Sequence, residues 1–285
     1  MEFFTPKNIT ETLLLLLKWK AKAGLIAGGT NVIPDMRAKA FRREALIDLS
    51  HLKGLSYVKE EKKRIRIGAL TTMSEIVASK IIQRKVPILY EAASQIGNPL
   101  VRNRATIAGN IADASPAADS AVPLLVLEAS VVIERHRGKP RQVPIDQFFL
   151  GPNKTVLPRG EIIREVVFTK PVPSAKMAYS KLGLRNAMAI SVASVGILAE
   201  MVKGRCGRVR IGLGAVAPTP RRAYGVETML VGQVITKELI GQCCEAVQKE
   251  IHPITDIRAS LEYRRSMTSV LLSRLLHQVL MQKRK

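Results

Sequence analysis

The chain has 285 residues, of which 47% are hydrophobic and 24% are charged. This length is sufficient for two domains, and the composition is that of a folded protein, so a disordered chain is excluded. The 45 lysines and arginines outnumber the 23 aspartates and glutamates, which gives a formal net charge of +22. Only three cysteines are present, and two of them, Cys243 and Cys244, are adjacent, so a disulfide framework is excluded and a reducing compartment is favoured.

The charge has several explanations. It is compatible with nucleic-acid binding, with an acidic protein partner, with an anionic cofactor, or with a basic solvated surface that has no ligand. The basic residues are spread along the chain and form only short clusters, at 62–66, 135–141 and 283–285. Aromatic residues make up 4%, and neither a zinc-finger spacing nor an aromatic RNA-binding signature is present, which disfavours nucleic-acid binding.

The first predicted element is an amphipathic helix over residues 10–22, which ends at Gly24 in a left-handed conformation. Its leucine run, residues 13–17, is too short to span a membrane, and it is flanked by lysines without the features of a signal peptide. We therefore expect a cytoplasmic protein.

The rest of the first half alternates between short strands and helices. A buried strand is predicted at 25–27, a second strand at 45–49 and a half-buried strand at 64–67. Thr72 and Glu75 have the spacing of a capping box, which predicts that a helix begins there. Further helices are predicted at 86–94 and 123–129, with a break at Asn98-Pro99 and a turn at Arg137-Gly138 after a strand at 131–134.

A strand at 162–169 leads to Pro171 and Pro173, which mark a domain boundary with a linker to about residue 175. Strands at 191–201 and 208–213 follow around a Lys203-Gly204 turn. Two amphipathic helices, at 236–250 and 259–282, close the chain. The pattern predicts an α+β protein with domains at 1–172 and 175–285.

Two stretches that contain glycine carry the candidate chemistry, at 27–31 and at 104–110. A diphosphate needs several backbone N–H donors that point into one concavity, and glycine allows the backbone to approach it closely. Neither stretch is a Walker A loop or a G-x-G-x-x-G fingerprint. Each could equally be a tight turn or a point of close backbone packing, so spacing alone leaves the role of both stretches open.

The ordered set of motifs resembles the flavoprotein subunits of molybdenum hydroxylases, the family of the xanthine and carbon monoxide dehydrogenases. The motifs that carry the resemblance lie at 28–30, 66–72, 106–111, 115–119, 180–185, 212–217, 220–223 and 256–265. They keep the family's order from residue 3 to about residue 280, so the set is specific although no single motif is.

The resemblance implies a first domain of the vanillyl-alcohol-oxidase (PCMH) type, in which FAD lies between two α+β subdomains, followed by a smaller α+β domain. It implies that the two glycine stretches hold the diphosphate and its flanking sugars, that Asp119 offers a carboxylate to the cofactor, and that Ile96 and Ile163 form apolar walls. Lys181 would reach the flavin from the second domain, where a cation stabilises the reduced ring, unless it is an exposed lysine at a strand end. The implied cofactor-binding residues are Leu25, Ile26, Ala27, Gly28, Gly29, Thr30, Asn31, Val32, Ile96, Thr106, Ile107, Ala108, Gly109, Asn110, Ser115, Asp119, Ile163 and Lys181.

The chain departs from the family pattern at three places. Asn31 stands where many relatives carry an acid, Ala108 replaces a glycine, and residues 187–189 lack a common aspartate. The first glycine stretch contains no histidine for covalent attachment, so we expect dissociable FAD. We also expect that valine at Gly28 or Gly109 removes flavin binding while the fold is retained.

The resemblance implies an electron-transfer role without a catalytic residue or a metal site in this chain. The partners would be a molybdopterin-containing large subunit and a small subunit with two 2Fe–2S clusters, and the electrons would pass to NAD or to another acceptor. Three cysteines and four scattered histidines offer no cluster or metal spacing. The alternatives are a free-standing flavin-dependent oxidoreductase and a basic nucleic-acid-binding protein whose glycine stretches are turns.

Overall fold

The computed structural model describes residues 1–281, which form three packed units. The first unit is a small parallel sheet with two helices. Its elements are β1 (Glu2–Phe4), α1 (Ile9–Trp19), β2 (Ala23–Ile26), α2 (Val32–Arg37) and β3 (Ala45–Asp48). The strand order is β1-β3-β2, and Leu13 and Leu16 of α1 bury their side chains against Ile47 of β3. The first glycine stretch therefore connects β2 to α2.

The second unit is an antiparallel sheet of five strands covered by six short helices. Its strands are β4 (Val58–Glu60), β5 (Arg64–Gly68), β6 (Ser130–Arg135), β7 (Arg141–Pro144) and β10 (Glu161–Thr169), in the order β4-β5-β10-β6-β7, with a small hairpin of β8 (Phe149–Gly151) and β9 (Lys154–Thr155). Its helices are α3 (Met73–Ala78), α4 (Lys80–Lys85), α5 (Pro87–Ser94), α6 (Pro99–Arg102), α7 (Ile107–Asp113) and α8 (Ala121–Val126). One large apolar core joins sheet and helices.

The third unit is an antiparallel sheet of four strands with helices on one face. Its elements are β11 (Lys176–Leu182), β12 (Ala193–Val202), β13 (Arg205–Gly214), β14 (Arg221–Arg222), α9 (Tyr224–Leu230), α10 (Lys237–Glu250) and α11 (Leu261–Leu276), followed by a π turn at His277–Met281. The other face packs on α5 and α8 of the second unit. Gly212 permits this approach, since a Cβ there would lie 2.9 Å from the carbonyl oxygen of Val122.

Most local predictions are confirmed, and the α+β class is among them. Thr72 and Glu75 form both hydrogen bonds of the capping box at the start of α3, and Lys203 and Gly204 form the predicted turn between β12 and β13 with positive φ angles. Cys243 and Cys244 lie in α10, where the first is buried and the second is partly exposed. In the described part of the chain, every helix is too short or too polar to cross a membrane.

Two predictions at helix ends are wrong. The first helix stops at Trp19, where Lys20 takes a positive φ of 47°, and Gly24 lies inside β2. A Cβ on Gly24 would lie 2.2 Å from the ring of Phe41, so a larger residue would displace that ring. Asn98-Pro99 begins a helix rather than breaking one, because the Asn98 side chain accepts a hydrogen bond from the Val101 amide and proline is favourable in the first turn.

The last predicted helix differs at both ends from the observed one. It begins at Leu261, since Ser260 is its N-cap and accepts a hydrogen bond from the Tyr263 amide. It ends at Leu276, and the π turn extends it to Met281. The predicted end at Gln282 and the basic cluster at 283–285 lie outside the described residues.

Candidate functional site

The two glycine stretches both line one cleft between the first and second units. The cleft encloses about 280 Å³. Predicted residues that line it are Leu25, Ala27, Gly28, Gly29, Thr30, Asn31, Val32, Thr106, Ala108, Gly109, Asn110 and Ile163. Residues that the prediction missed are Leu49, Leu55, Ala69, Leu70, Ala105, Ala112, Asp113, Leu157 and Ile162. The topology thus brings together residues about eighty positions apart.

The first stretch presents backbone donors that the protein leaves free. Within residues 1–281, the N–H groups from Ala27 to Val32 have no hydrogen-bond acceptor. The next N–H along the chain, that of Ile33, donates to the carbonyl oxygen of Gly29 at 3.0 Å. Gly29 has a φ of +76°, a conformation that favours glycine, and it turns the chain from β2 into α2. A run of consecutive free N–H groups is an anion-binding concavity.

Gly28 lines the cleft and also packs against the second stretch. A Cβ at this position would lie 1.8 Å from the carbonyl oxygen of Arg104, so the first stretch packs directly against the backbone of the second. The close approach is therefore between two parts of the protein. A valine at Gly28 would disrupt this packing, and the expectation that the fold survives such a change does not hold for this position.

Most backbone donors of the second stretch are occupied within the protein. Thr106 is the N-cap of α7, and its hydroxyl accepts a hydrogen bond from the Gly109 amide at 3.1 Å. The amide of Ile107 donates to Thr71 and that of Ala108 to Ala69, at 3.0 and 3.2 Å. These bonds fasten α7 to the loop after β5. The second stretch thus forms a wall of the cleft in which most donors are used; within residues 1–281, the Thr106 N–H has no acceptor.

The lining carries a single charged residue, Asp113, which lies one helical turn after Gly109 on α7. That four-residue spacing is the signal that could have found it from the sequence, because residues four apart share a face of a helix. With no lysine or arginine in the lining, an anion in the cleft would be held by backbone N–H groups. The Asp113 carboxylate can accept hydrogen bonds from hydroxyl or ring N–H groups of a ligand.

Apolar side chains complete the cleft on both sides. Leu25, Leu49 and Leu55 come from the first unit and its connection to the second, and Leu157, Ile162 and Ile163 come from β10 and the segment before it. Ile163 lies beside a bulge between β10 and β6. Free amides, one carboxylate and apolar walls suit a ligand that contains a diphosphate, hydroxyl groups and a flat ring. The donor set therefore fits a flavin dinucleotide.

Some predicted residues do not line the cleft. Ile26 belongs to β2, Ile107 is fully buried in the core of the second unit, and Ile96 is 9% exposed at the end of the α5 segment. Ser115 lies in a second, smaller pocket between the second and third units, lined also by Pro116, Ala215, His252 and Arg264. A direct role in binding for these residues stays a prediction.

Asp119 and Lys181 form a buried ion pair across the boundary between the second and third units. The Lys181 Nζ lies 2.7 Å from Asp119 Oδ2, and each side chain is 8% exposed, so the alternative of an exposed lysine is wrong. Lys181 also donates to the carbonyl of Gln95 at 2.8 Å. Neither residue lines the cleft, so their direct contact with a cofactor stays a prediction.

The Asp119 carboxylate accepts two further hydrogen bonds. The Tyr179 hydroxyl donates to Oδ1 at 2.9 Å and the Ser191 hydroxyl at 2.5 Å. Burial, and next the Asp119 charge, raise the pKa of Tyr179 well above its ordinary value, so the phenol remains a donor. Three donors from the third unit therefore hold the loop that follows α7.

Two family models match the chain. The FAD binding domain in molybdopterin dehydrogenase matches residues 1–171, and the CO dehydrogenase flavoprotein C-terminal domain matches residues 178–279. The chain is 33% identical to the carbon monoxide dehydrogenase medium chain of Hydrogenophaga pseudoflava, over 97% of this chain and 96% of that protein. It is also 33% identical to a putative xanthine dehydrogenase FAD-binding subunit of Escherichia coli, over 87% of this chain and 86% of that protein.

Solved structures show the same similarity. Carbon monoxide dehydrogenase from Hydrogenophaga pseudoflava matches with a TM-score of 0.95 and 32% identity, over 99% of this chain and 97% of that one. The enzyme from Oligotropha carboxidovorans matches with a TM-score of 0.95 and 28% identity, over 99% of this chain and 98% of that one.

Proposed function

Because this chain belongs to the family of FAD-binding subunits of molybdenum hydroxylases, we propose that it holds FAD in the cleft and passes electrons from an iron–sulfur partner to NAD or another acceptor. The observation that carries the proposal is the run of free N–H groups from Ala27 to Val32, in a cleft that both glycine stretches line. Bound FAD would supply one-electron uptake and two-electron release, which suits a junction between iron–sulfur clusters and a hydride acceptor. This chain supplies the binding surface and its electrostatics.

The proposed binding residues divide by chemistry. The free amides of Ala27 to Val32 would hold the diphosphate, and the Thr30 hydroxyl and the Asn31 side chain, which have no partner within the described residues, would add donors beside them. Asp113 would accept hydrogen bonds from sugar hydroxyls. Leu49, Leu55 and Ile163 would contact apolar parts of the cofactor.

We further propose residues 1–172 and 175–285 as the two domains. The strand bounds support this division. The last strand of the second unit, β10, ends at Thr169, and the first strand of the third unit, β11, begins at Lys176. Residues 178–280 have an apolar core of their own. In the complete enzyme, the partners would be a molybdopterin-containing large subunit and a small subunit with two 2Fe–2S clusters, and the complex would work in the cytoplasm.

The cofactor part of the proposal is tested by acid precipitation of the purified chain. The supernatant should be yellow and contain FAD, since the first glycine stretch has no histidine that could attach the cofactor covalently. Flavin that stays with the pellet, or a supernatant with FMN alone, would contradict dissociable FAD binding. A colourless preparation that cannot be reconstituted with FAD would contradict the flavoprotein function.

The partner part is tested in the native complex. Purification at low salt should recover a molybdopterin protein and a two-cluster iron–sulfur protein together with this chain. Substrate added to the complex should bleach the flavin absorbance, and NAD should restore it if NAD is the acceptor. A chain that reduces or oxidises a substrate at full rate without partners would favour the free-standing oxidoreductase.

A further inference from the structure

Ser120 stands at the start of α8 but does not cap this helix. Serine is favoured at such a position because its hydroxyl accepts a hydrogen bond from an amide of the first helical turn. The Ser120 side chain makes no such bond, and its backbone is already helical, with a φ of −72° and a ψ of −21°. Its hydroxyl instead donates to Asn110 Oδ1 in α7 at 2.5 Å. Ser120 is fully buried, so this hydrogen bond is shielded from water.

The hydrogen bond links the interior of the protein to the cleft. Asn110 is half-buried and lines the cleft, and its backbone N–H already donates to the Thr106 carbonyl in α7. An asparagine side chain has one acceptor oxygen and one NH2 group with two donors. Because Ser120 uses the oxygen, the NH2 group is the end that remains for a ligand. Within residues 1–281, this Asn110 Nδ2 group has no acceptor.

The third unit fixes the position of Ser120 from two sides. The preceding residue, Asp119, accepts hydrogen bonds from the Tyr179 hydroxyl and the Lys181 ammonium at 2.9 and 2.7 Å. The following helix, α8, is buried over its whole length and packs against β12 and β13. A hydroxyl held in this way cannot follow the Asn110 amide when the amide rotates. The bond therefore favours one orientation of the amide over the reversed one.

The orientation of this amide matters because of the charge in the cleft. The lining contains no lysine or arginine, and its single charged residue, Asp113, can only accept hydrogen bonds when ionised. With its NH2 group towards the cleft, Asn110 can donate to an acceptor oxygen of a ligand. In the reversed orientation, the amide oxygen would face that acceptor, and both groups would lose their hydrogen bonds to water without a replacement.

We propose that Ser120 is a positioning residue of the cofactor site, whose hydroxyl orients the Asn110 amide so that its NH2 group donates to an acceptor oxygen of FAD. This inference rests on the proposed function. Ser120 itself is fully buried and does not line the cleft, so it acts through Asn110. The third unit thereby contributes to binding in a cleft that lies between the first and second units, because it fixes the segment that carries Ser120.

Two substitutions test this role in the purified chain after removal of FAD, with affinity measured by flavin fluorescence quenching. Ser120→Ala should weaken FAD binding about tenfold, because the amide is then free to reverse. Asn110→Asp keeps an acceptor for the serine hydroxyl but replaces the NH2 group by an oxygen, so it should weaken FAD binding about a hundredfold or more. Ser269→Ala is the matched control. It also removes a serine hydroxyl bond, made at 2.6 Å to the Cys244 carbonyl between α11 and α10, and should leave FAD affinity unchanged.

A double-mutant cycle separates the orientation of Asn110 from a general loss of structure. If Ser120 acts through Asn110, Ser120→Ala should cost no further FAD affinity in an Asn110→Ala background. Loosening of α7 or α8 would instead lower FAD affinity equally in both backgrounds, and that result overturns the proposal.

Unchanged FAD affinity in Ser120→Ala or in Asn110→Asp overturns it as well. If Ser120→Ala does not fold, Asn110→Asp decides by itself, since it retains the buried hydrogen bond. A wild-type chain that binds FAD while these variants bind it equally well removes only the role of Ser120. If the wild-type chain binds no FAD, the proposed function fails.

Discussion

The two glycine stretches border the same cleft, yet most backbone donors are free in the first stretch and most are occupied in the second. In the first, six consecutive N–H groups from Ala27 to Val32 have no acceptor within residues 1–281. In the second, the amides of Ile107, Ala108 and Gly109 donate to Thr71, Ala69 and the Thr106 hydroxyl. One stretch is available for a ligand, and the other is a wall fixed to the sheet.

The comparison shows that each of the three glycines is favoured for a different structural reason. Gly28 makes room for the Arg104 carbonyl, Gly29 supplies a positive φ, and at Gly109 a Cβ would meet only the Thr106 hydroxyl, at 2.8 Å. At Gly109, which lines the cleft, a Cβ would therefore meet a side-chain hydroxyl and not backbone. The predictions below test this difference between the two stretches, from the largest expected effect to the smallest.

Gly28→Val should lower the free energy of unfolding by about 3 kcal/mol or more, because a branched side chain would overlap the Arg104 carbonyl. The loss should already be present in the FAD-free protein, as measured by urea denaturation of that form. Gly28→Ala adds only the Cβ and should already lose much of this stability. A Gly28→Val protein that unfolds like the wild type and lacks only FAD would mean that this glycine serves the phosphate after all.

Asp119→Asn should cost about 3 kcal/mol, because Lys181 would remain buried without its counter-charge. Tyr179→Phe removes one of the three donors to Asp119 and should cost about 1 kcal/mol. Thermal and urea unfolding of the two variants would measure the difference. Because the Asp119–Lys181 ion pair holds the loop that follows α7, FAD affinity should fall together with stability. A Lys181→Met protein that is fully stable and fully loaded with FAD, but has a changed flavin reduction potential, would instead show that Lys181 contacts the cofactor directly.

Gly109→Ala should weaken FAD binding about tenfold, which corresponds to about 1.4 kcal/mol. The methyl group would enter the cleft and displace the Thr106 hydroxyl, with a smaller effect on folding. Gly241→Ala is the control, because nothing lies within 4 Å of a Cβ in the middle of α10, and it should leave FAD binding unchanged while stabilising the helix. Equal FAD affinity of both variants and the wild type, measured by flavin fluorescence quenching, would remove the second stretch from the binding site.

Thr106→Val should have the smallest effect, a loss of about 1 kcal/mol in the free energy of unfolding from the missing helix cap. Thr106→Ser keeps the hydroxyl and should retain both stability and FAD affinity. Since the hydroxyl is already used by the Gly109 amide, we expect the loss of FAD affinity in Thr106→Val to be no larger than the loss of stability. A serine variant that folds normally but loses FAD would show that the threonine methyl contacts the cofactor.

The residues most readily predicted were those whose signal is local. The capping box of Thr72 and Glu75, the turn at Lys203-Gly204 and the strand periodicity of β5 and β10 depend on side chains a few positions apart, and the structure confirms them. The helix ends at Trp19 and Asn98 were missed for a related reason. Gly24 and Asn98 are each compatible with several local conformations. The conformation observed at Gly24 depends on packing against Phe41, and the one observed at Asn98 depends on its hydrogen bond from an amide of α6.

The sequence by itself determined the α+β class, the family and the two stretches that line the cleft, because ordered motifs and short-range patterns can be recognised along the chain. Only the tertiary structure decided which donors are free, which are used, and which charges are paired. Gly28 is constrained by Arg104, the second stretch by the loop after β5, and Lys181 by Asp119, which lies 62 positions away. A backbone N–H or a charged group is available to a ligand only if no other segment of the protein already pairs with it. Whether it is paired depends on packing between segments far apart in the chain.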